Sequence, residues 1–329
     1  MRNILIITSL LFGIHMSNAQ TIERQVIGSS GATISNGSTT VDFTVGEVVT
    51  TTITDGTTTL SQGFLQGTIK LAININPKVF LQGAALNPYT GEESFMRDDL
   101  HRNSHIPTTS PYGDGNTLDS DIFNIQDTNA LVDWIWVELR NATDNTQVIA
   151  SQSALLQRDG DILDSQYNTL EFEVAAGNYY VVIKHRNHLG IMTTNTVALS
   201  KTGTTVDFTD ASNQITFGNN AQTTFGMPSG KVAMWAGNVN ADTIIQYSGT
   251  SPDTPEILST VLNDAGNFLN FPTYAVSGYN SNDINLDGTT QYSGISPDVP
   301  FILQNILAHP GNFLNFSTYQ ITEQLPENP

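Results

Sequence analysis

One stretch of this chain is written twice. Residues 238–274 read NVNADTIIQYSGTSPDTPEILSTVLNDAGNFLNFPTY, and residues 283–319 read DINLDGTTQYSGISPDVPFILQNILAHPGNFLNFSTY. The offset is a constant 45 residues, and 21 of 37 aligned positions are identical. A fixed-period repeat of this kind is one supersecondary unit used twice, each copy needing the other to bury its apolar face. Any fold proposed for the C-terminal third must therefore be a pair.

The second copy opens with D-x-N-x-D-G, at Asp283, Asn285, Asp287 and Gly288. This is the front half of a calcium loop. Calcium is a hard cation that takes about six to eight oxygens, and alternate residues of a tight loop can aim carboxylate and amide oxygens at one point. The glycine at the sixth place allows the sharp turn. Thr289 stands at the seventh place, and the twelfth place, where the pattern has its closing acid, holds Gly294. We read a four-residue insertion, with Asp298 closing the shell. The first copy offers Asn238, Asn240 and Asp242, with Ile244 at the seventh place and Asp253 as the closing acid. It has fewer carboxylates, and the β-branched Thr243 replaces the glycine. The expectation is calcium, as one or two ions, with the stronger site in the second copy. The bland alternative is that Asn/Asp-rich turns simply make loops and cap helices.

A short helix is expected after each loop. Pro255 and Pro300 suit a helix start, where a missing N–H costs nothing. Ile257, Leu258, Val261 and Leu262 give an apolar face, matched by Ile302, Leu303, Ile306 and Leu307, and Gly266 and Gly311 read as helix ends. Loop then helix, twice, resembles a dockerin over about residues 236–319. The resemblance implies two EF-hand-like calcium loops packed about a pseudo-two-fold axis. The longer loop and the tails FLNFPTY and FLNFSTY depart from the dockerin pattern, and the dockerin recognition positions cannot be matched.

The N-terminus resembles a secretory signal over residues 1–19. Arg2 gives the positive end, residues 4–14 the apolar run, and Ser17-Asn18-Ala19 a small-x-small cleavage site. The apolar run is too short to be a comfortable membrane span. The chain has no cysteine, so stability must come from core burial and metal rather than disulfides. Its formal charge of −19 argues against nucleic acid and anionic membrane surfaces as partners and suits calcium uptake. The localisation expected is secreted, at the cell surface, outside the cell or in the periplasm, with no membrane insertion of the mature chain.

Residues 20–70 are rich in Thr, Ser and Gly. Val41, Phe43 and Val45 alternate, and Asp55-Gly56 reads as a two-residue hairpin, giving three to five short strands, with a flexible threonine-rich linker as the alternative. SSGATISNGSTTVDFTVGEVV and SQGFLQ resemble the stretch that precedes adhesin-like regions in secreted proteins of the Bacteroidota type. Residues 71–235 carry strand signals at 73–81, 131–140, 147–156, 170–174, 179–185, 196–199 and 205–208, separated by turn signals. This spacing predicts an immunoglobulin-like β-sandwich. The fold class expected is mainly β: a Thr-rich β segment, a sandwich, and a small α module of two loop-helix repeats over 236–329.

Three further clusters stand out. Trp134 and Trp136 share one face of a strand and read as core, or as a sugar-stacking platform if exposed. Residues 96–121 read as an insertion-like loop, with His101 and His105 at metal spacing on a helix and several acids as accessory ligands. The run 185–190, HRNHLG, reads as a turn or a binding loop. VFLQGAAL, MRDDL, LVDWIWVELR, ALLQRDGDIL and YYVVIKHRNHLGIM resemble a recurrent domain of Bacteroidota surface proteins that sits before a dockerin-like pair, which implies export and calcium but no reaction. No G-x-S-x-G, H-E-x-x-H or P-loop occurs. The function expected is a non-catalytic structural or adhesive protein with a protein partner or self-association, as in an extracellular fibre. The alternative is a carbohydrate-binding or carbohydrate-active protein that takes a glycan on the 71–235 sandwich.

Overall fold

The computed structural model describes residues 71–326 in full, together with four strands nearer the N-terminus. The expected signal segment lies outside the described residues. The chain divides into two compact units, Met1–Lys70 and Leu71–Pro329. In the first, β1 (Ser30–Ser35) pairs antiparallel with β2 (Thr40–Val45), and β3 (Ile53–Thr54) pairs with β4 (Thr59–Leu60). Thr54 pairs with Thr59, and the expected hairpin turn at Asp55-Gly56 lies outside the described residues.

The second unit is mainly β and is built on a two-sheet sandwich. One sheet has the order β11–β10–β6–β7–β8, formed by His188–Met192, Gly177–His185, Leu131–Asn141, Val148–Gln157 and Ile162–Leu163, with β12 (Val197–Leu199) also on β10. The other has the order β13–β5–β9, formed by Thr204–Asp207, Ile73–Lys78 and Leu170–Phe172. β13 runs parallel to β5, while β9 is antiparallel to it. The alternation that predicted β5 is visible in its burial, with Ile73 and Ile75 fully enclosed. They meet Trp134, Ile135 and Val137 of β6 and Val181 and Ile183 of β10 in the main core.

β6 is buried on nearly every residue, which a strand with one wet face would not be. Its second cover includes the stretch expected to be an insertion. Met96, Leu100, Ile106, Leu118 and Ile122 all join the main core. Between α1 (Gln82–Ala85) and β6, α2 (Asp99–Arg102) is one short turn. Trp134 is fully buried, with its indole N–H donated to Pro107 O at 2.9 Å. Trp136 is half-buried, its ring 5.5 Å from that of Tyr112. Trp134 is therefore core and offers no stacking face, while Trp136 keeps part of its surface open.

The duplicated region follows as β16 (Ile244–Gln246), α3 (Thr254–Asn263), β17 (Ala275–Ser277), β18 (Thr289–Gln291), α4 (Val299–Ala308) and β19 (Gln320–Thr322); β14 (Gln222–Thr223) and β15 (Ala233–Met234) lie before it. Prolines stand in the first turn of both helices. The expected glycine ends are corrected. Asp264 and His309 end the helices in extended conformation, and Gly266 and Gly311 are needed because a Cβ there would meet the hydroxyls of Tyr274 and Tyr319 at 2.2 and 2.3 Å. Ile257, Val261, Ile302 and Ile306 bury into a second core with Leu189 and Trp235, while Leu286 of the repeat enters the main core. The expected division at 235/236 falls inside this unit. Among the described residues no helix is long and apolar enough to cross a membrane.

Candidate functional site

Each loop of the repeat is closed by its late acid. Asp298 and Asp253 precede their helices but do not cap them. Their carboxylates turn back into the loop instead. Asp298 accepts the N–H of Ile284 at 2.7 Å on one oxygen and of Gln291 at 2.8 Å on the other. Asp253 does the same with Val239 at 3.0 Å and Gln246 at 2.8 Å. The acid read as closing the shell thus ties the start of its loop to the strand that follows. The Asp298 oxygen that accepts from Ile284 also takes a longer bond from Asn285 N at 3.4 Å, while the other oxygen keeps a further acceptor site.

The early ligand positions accept backbone N–H groups of their own loop, through Asx turns at the third and fifth places. Asp283 accepts from Asp287 N at 3.1 Å and Gly288 N at 2.8 Å, Asn285 from Asp287 N at 2.9 Å, and Asp287 from Thr289 N at 2.9 Å. In the first loop Asn240 accepts from Asp242 N at 3.0 Å and Asp242 from Ile244 N at 2.9 Å. The backbones agree as well. Ala241 and Leu286 both lie in the left-handed region, at φ 59° and 57°, as do Thr243 and Gly288, at 67° and 86°. Thr243 is a β-branched residue held where only glycine is at ease.

Burial makes these carboxylates costly as anions. Asp253, Asp283 and Asp298 are fully buried. Burial, reinforced by the Asp242 carboxylate, pushes Asp253 up to about 7. Burial raises Asp283 against the pull of Arg186, and burial together with Asp283 raises Asp298. In the first loop Asn238 is nine-tenths buried and its side-chain oxygen has no hydrogen-bond partner.

The donor chemistry therefore fits a hard cation: carboxylate and amide oxygens, one of them orphaned in the protein interior. The positions do not yet form a finished cage. Among the described residues no three acidic or histidine side chains are gathered closely enough to hold a metal ion. Asp287 is drawn aside by Ser296, whose hydroxyl donates to it at 2.5 Å.

The sandwich grips the second loop from several sides. Asn187, at the tip of the β10–β11 hairpin, donates to Ser281 O at 3.0 Å and Asp283 O at 2.7 Å. Arg97 donates to Asn285 O at 2.5 Å, and a Cβ on Gly83 would meet Ile284 O at 2.0 Å. Behind Asn187 lies a buried chain of polar groups. Gly83 N–H donates to His188 Nε2 at 3.1 Å, so a neutral His188 carries its proton on Nδ1, which has Asn187 Oδ1 at 2.8 Å and His185 Nδ1 at 3.0 Å as acceptors. His185 in turn donates from Nε2 to Asp133 at 3.0 Å, which also accepts from Tyr279 at 2.7 Å and pairs with Arg186 at 3.0 Å. Burial depresses both histidines, more strongly His188. Burial alone would raise Asp133, but Arg186, His185 and Tyr279 hold it low.

The run HRNHLG does contain the expected turn, between His185 and His188, and its last residues are strand. Its larger role, holding the second loop, was signalled only by a concentration of basic and imidazole groups in a chain poor in both. His101 and His105 do not share a site. His101 is buried between Asp98 and Phe123 O, whereas His105 reaches Ser277 at 3.3 Å beside the second loop.

No protein-family model matches this chain, and no curated protein matches it. Two solved structures overlap it, both described as type II cohesin–X-dockerin complexes from Acetivibrio cellulolyticus, one an N-terminal and the other a C-terminal interface mutant. Each match covers 52% of this chain and 79% of the other, at 20% and 18% identity and TM-scores of 0.27 and 0.25. A likeness that slight transfers neither a fold nor a partner to this chain.

Proposed function

We propose that this chain is a non-catalytic, secreted structural or adhesive protein of the cell surface or surroundings, whose duplicated C-terminal module is completed by calcium. The observation that supports this reading is the loop closure made twice, in which a fully buried aspartate meets the start of a loop whose first, third and fifth places are Asp or Asn. Asp283, Asn285, Asp287, Asp298 and the carbonyl of Thr289 would hold one ion. Asn238, Asn240, Asp242, Asp253 and the carbonyl of Ile244 would hold the other. The ion supplies positive charge to buried carboxylates that otherwise favour a proton, so binding is coupled to folding of the module.

Calorimetric titration of calcium, with melting curves in calcium and in chelator, tests the reading. One or two ions bind, and at a hundredfold excess over Kd each stabilises the fold by about 2.7 kcal/mol. No binding heat and identical melts with and without chelator would leave the loops as turns. The protein partner in this reading is a neighbouring subunit of an extracellular fibre, met through strand addition by residues 20–70. Native polymers formed by a chain lacking 20–70 would remove that route.

A further inference from the structure

Both copies end in the same six residues, Gly-Asn-Phe-Leu-Asn-Phe, at 266–271 and 311–316. Alternating apolar residues after a helix are ordinarily core. Here they are exposed: Phe268 and Phe313 are each 82% exposed, Leu269 and Leu314 each 59%, Phe271 and Phe316 54% and 56%.

This exposure is built. The first asparagine of each motif is buried and spends its whole side chain on the loop. Asn267 donates to Val261 O at 2.8 Å and Phe271 O at 2.9 Å and accepts from Phe271 N at 2.8 Å. Asn312 makes the same three bonds to Ile306 and Phe316. The second asparagine takes the left-handed turn in both, at φ 54° and 55°. The opposite loop adds a further tie, because Gln291 donates to Thr273 O at 2.8 Å and Gln246 to Thr318 O at 2.9 Å. The aromatic rings are thus presented on fixed backbone at low entropic cost to a partner.

We propose that these two motifs are an interface between copies of this chain. At about 200 Å² for an aromatic side chain, each motif offers roughly 350 Å² of apolar surface. Two copies meeting motif to motif would bury roughly 700 Å² of apolar surface between them, about half of the roughly 1,600 Å² in total that a standard stable interface covers. Symmetry selects the occupant. Two identical patches require a partner that presents the same complementary surface twice, and a second copy of the chain does so automatically. Charge permits it there, since residues 265–274 and 310–319 contain no Asp, Glu, Lys, Arg or His in a chain of net charge −19. Aromatic faces and edges are self-complementary in offset and edge-to-face pairs.

The inference shares with the proposed function the idea that the chain works in association, but it needs neither calcium nor residues 20–70. Sedimentation velocity of the full chain in calcium is compared with F268S/F271S, with F313S/F316S and with all four substitutions together. The wild type associates, each double variant weakens association at least about tenfold, and the quadruple variant is monomeric at the same concentration. The substituted side chains are exposed, so the calcium titration of the quadruple variant matches the wild type, as does its melting temperature at a dilution where both are monomeric. A wild-type chain that stays monomeric, or a quadruple variant that associates as tightly as the wild type, overturns the proposal, whatever the calcium titration shows.

Discussion

The two copies of the repeat have nearly the same loop geometry and very different surroundings. The second loop is pressed against the sandwich by Arg97, Asn187 and the backbone of Gly83, and its Leu286 sits in the main core. In the first loop the equivalent residues Asn240 and Ala241 are exposed. One sequence pattern, used twice, therefore yields one loop shaped by the rest of the protein and one that must shape itself. Preorganisation, as well as the count of carboxylates, is what makes the second loop the better candidate site.

The buried acids allow the two loops to be compared by titration. A carboxyl raised on folding adds stability that is complete below its unfolded value of about 3.9. For Asp253 that contribution is lost as pH climbs through about 7. In chelator, the carboxyl resonance of Asp253 is expected to titrate near neutrality, and in calcium below about 4 if the first loop takes the ion. The amides of Val239 and Gln246 should lose exchange protection above that range before those of Ile284 and Gln291 do. Equal loss in both loops would erase the distinction.

Gly83→Ala tests the grip directly. With Ile284 O at 2.0 Å from the new Cβ, the helix and the second loop must part, at about 3 kcal/mol by chemical melting, while the first loop keeps its shape. Asn187→Ala removes the donor to the buried Asp283 carbonyl and the half-buried Ser281 carbonyl and should cost about 2 kcal/mol, again with the loss confined to the second loop. The smallest effect is a reciprocal exchange at the sixth place. Thr243→Gly relieves a strained left-handed residue and gains about 1 kcal/mol. Gly288→Thr reverses the sign and adds a clash, since a Cβ there meets His105 at 2.6 Å. A gain in both variants would mean that the two backbones are not equivalent.

Much of the sandwich was legible because its strands alternate or run apolar between clear turns; β6, β7 and β10 lie within a residue or two of the expected 131–140, 147–156 and 179–185. The stretch 96–121 was not. Met96, Leu100, Ile106, Leu118 and Ile122 have no period, so nothing in their spacing says that they share a core. The turns at Asn285 and Asp287 were readable from spacing, because each is a local Asx turn. The partners of the second loop were not, since Gly83, Arg97 and Asn187 reach it from far away in the chain. The FLNF motifs show the reverse limit: hydrophobicity alone assigns them to a core, and only the bonds of Asn267 and Asn312 reveal that they face outward.

The strand pairing of the repeat also sets an order of assembly. β18, in the second loop, pairs with β17, and Ser277 finds Thr289 only 12 residues on (289 − 277). β16, in the first loop, pairs with β19, and Gln246 must wait for Gln320, 74 residues on (320 − 246). Closing the longer loop costs about 1.6 kcal/mol more in chain entropy. A ribosome delivers the residues in sequence, so the second copy can zip while it emerges, whereas the first stays unlatched until β19 arrives. The copy made first is the one completed last, and a chain cut short before Gln320 would keep its second loop paired and leave its first loop without a strand partner.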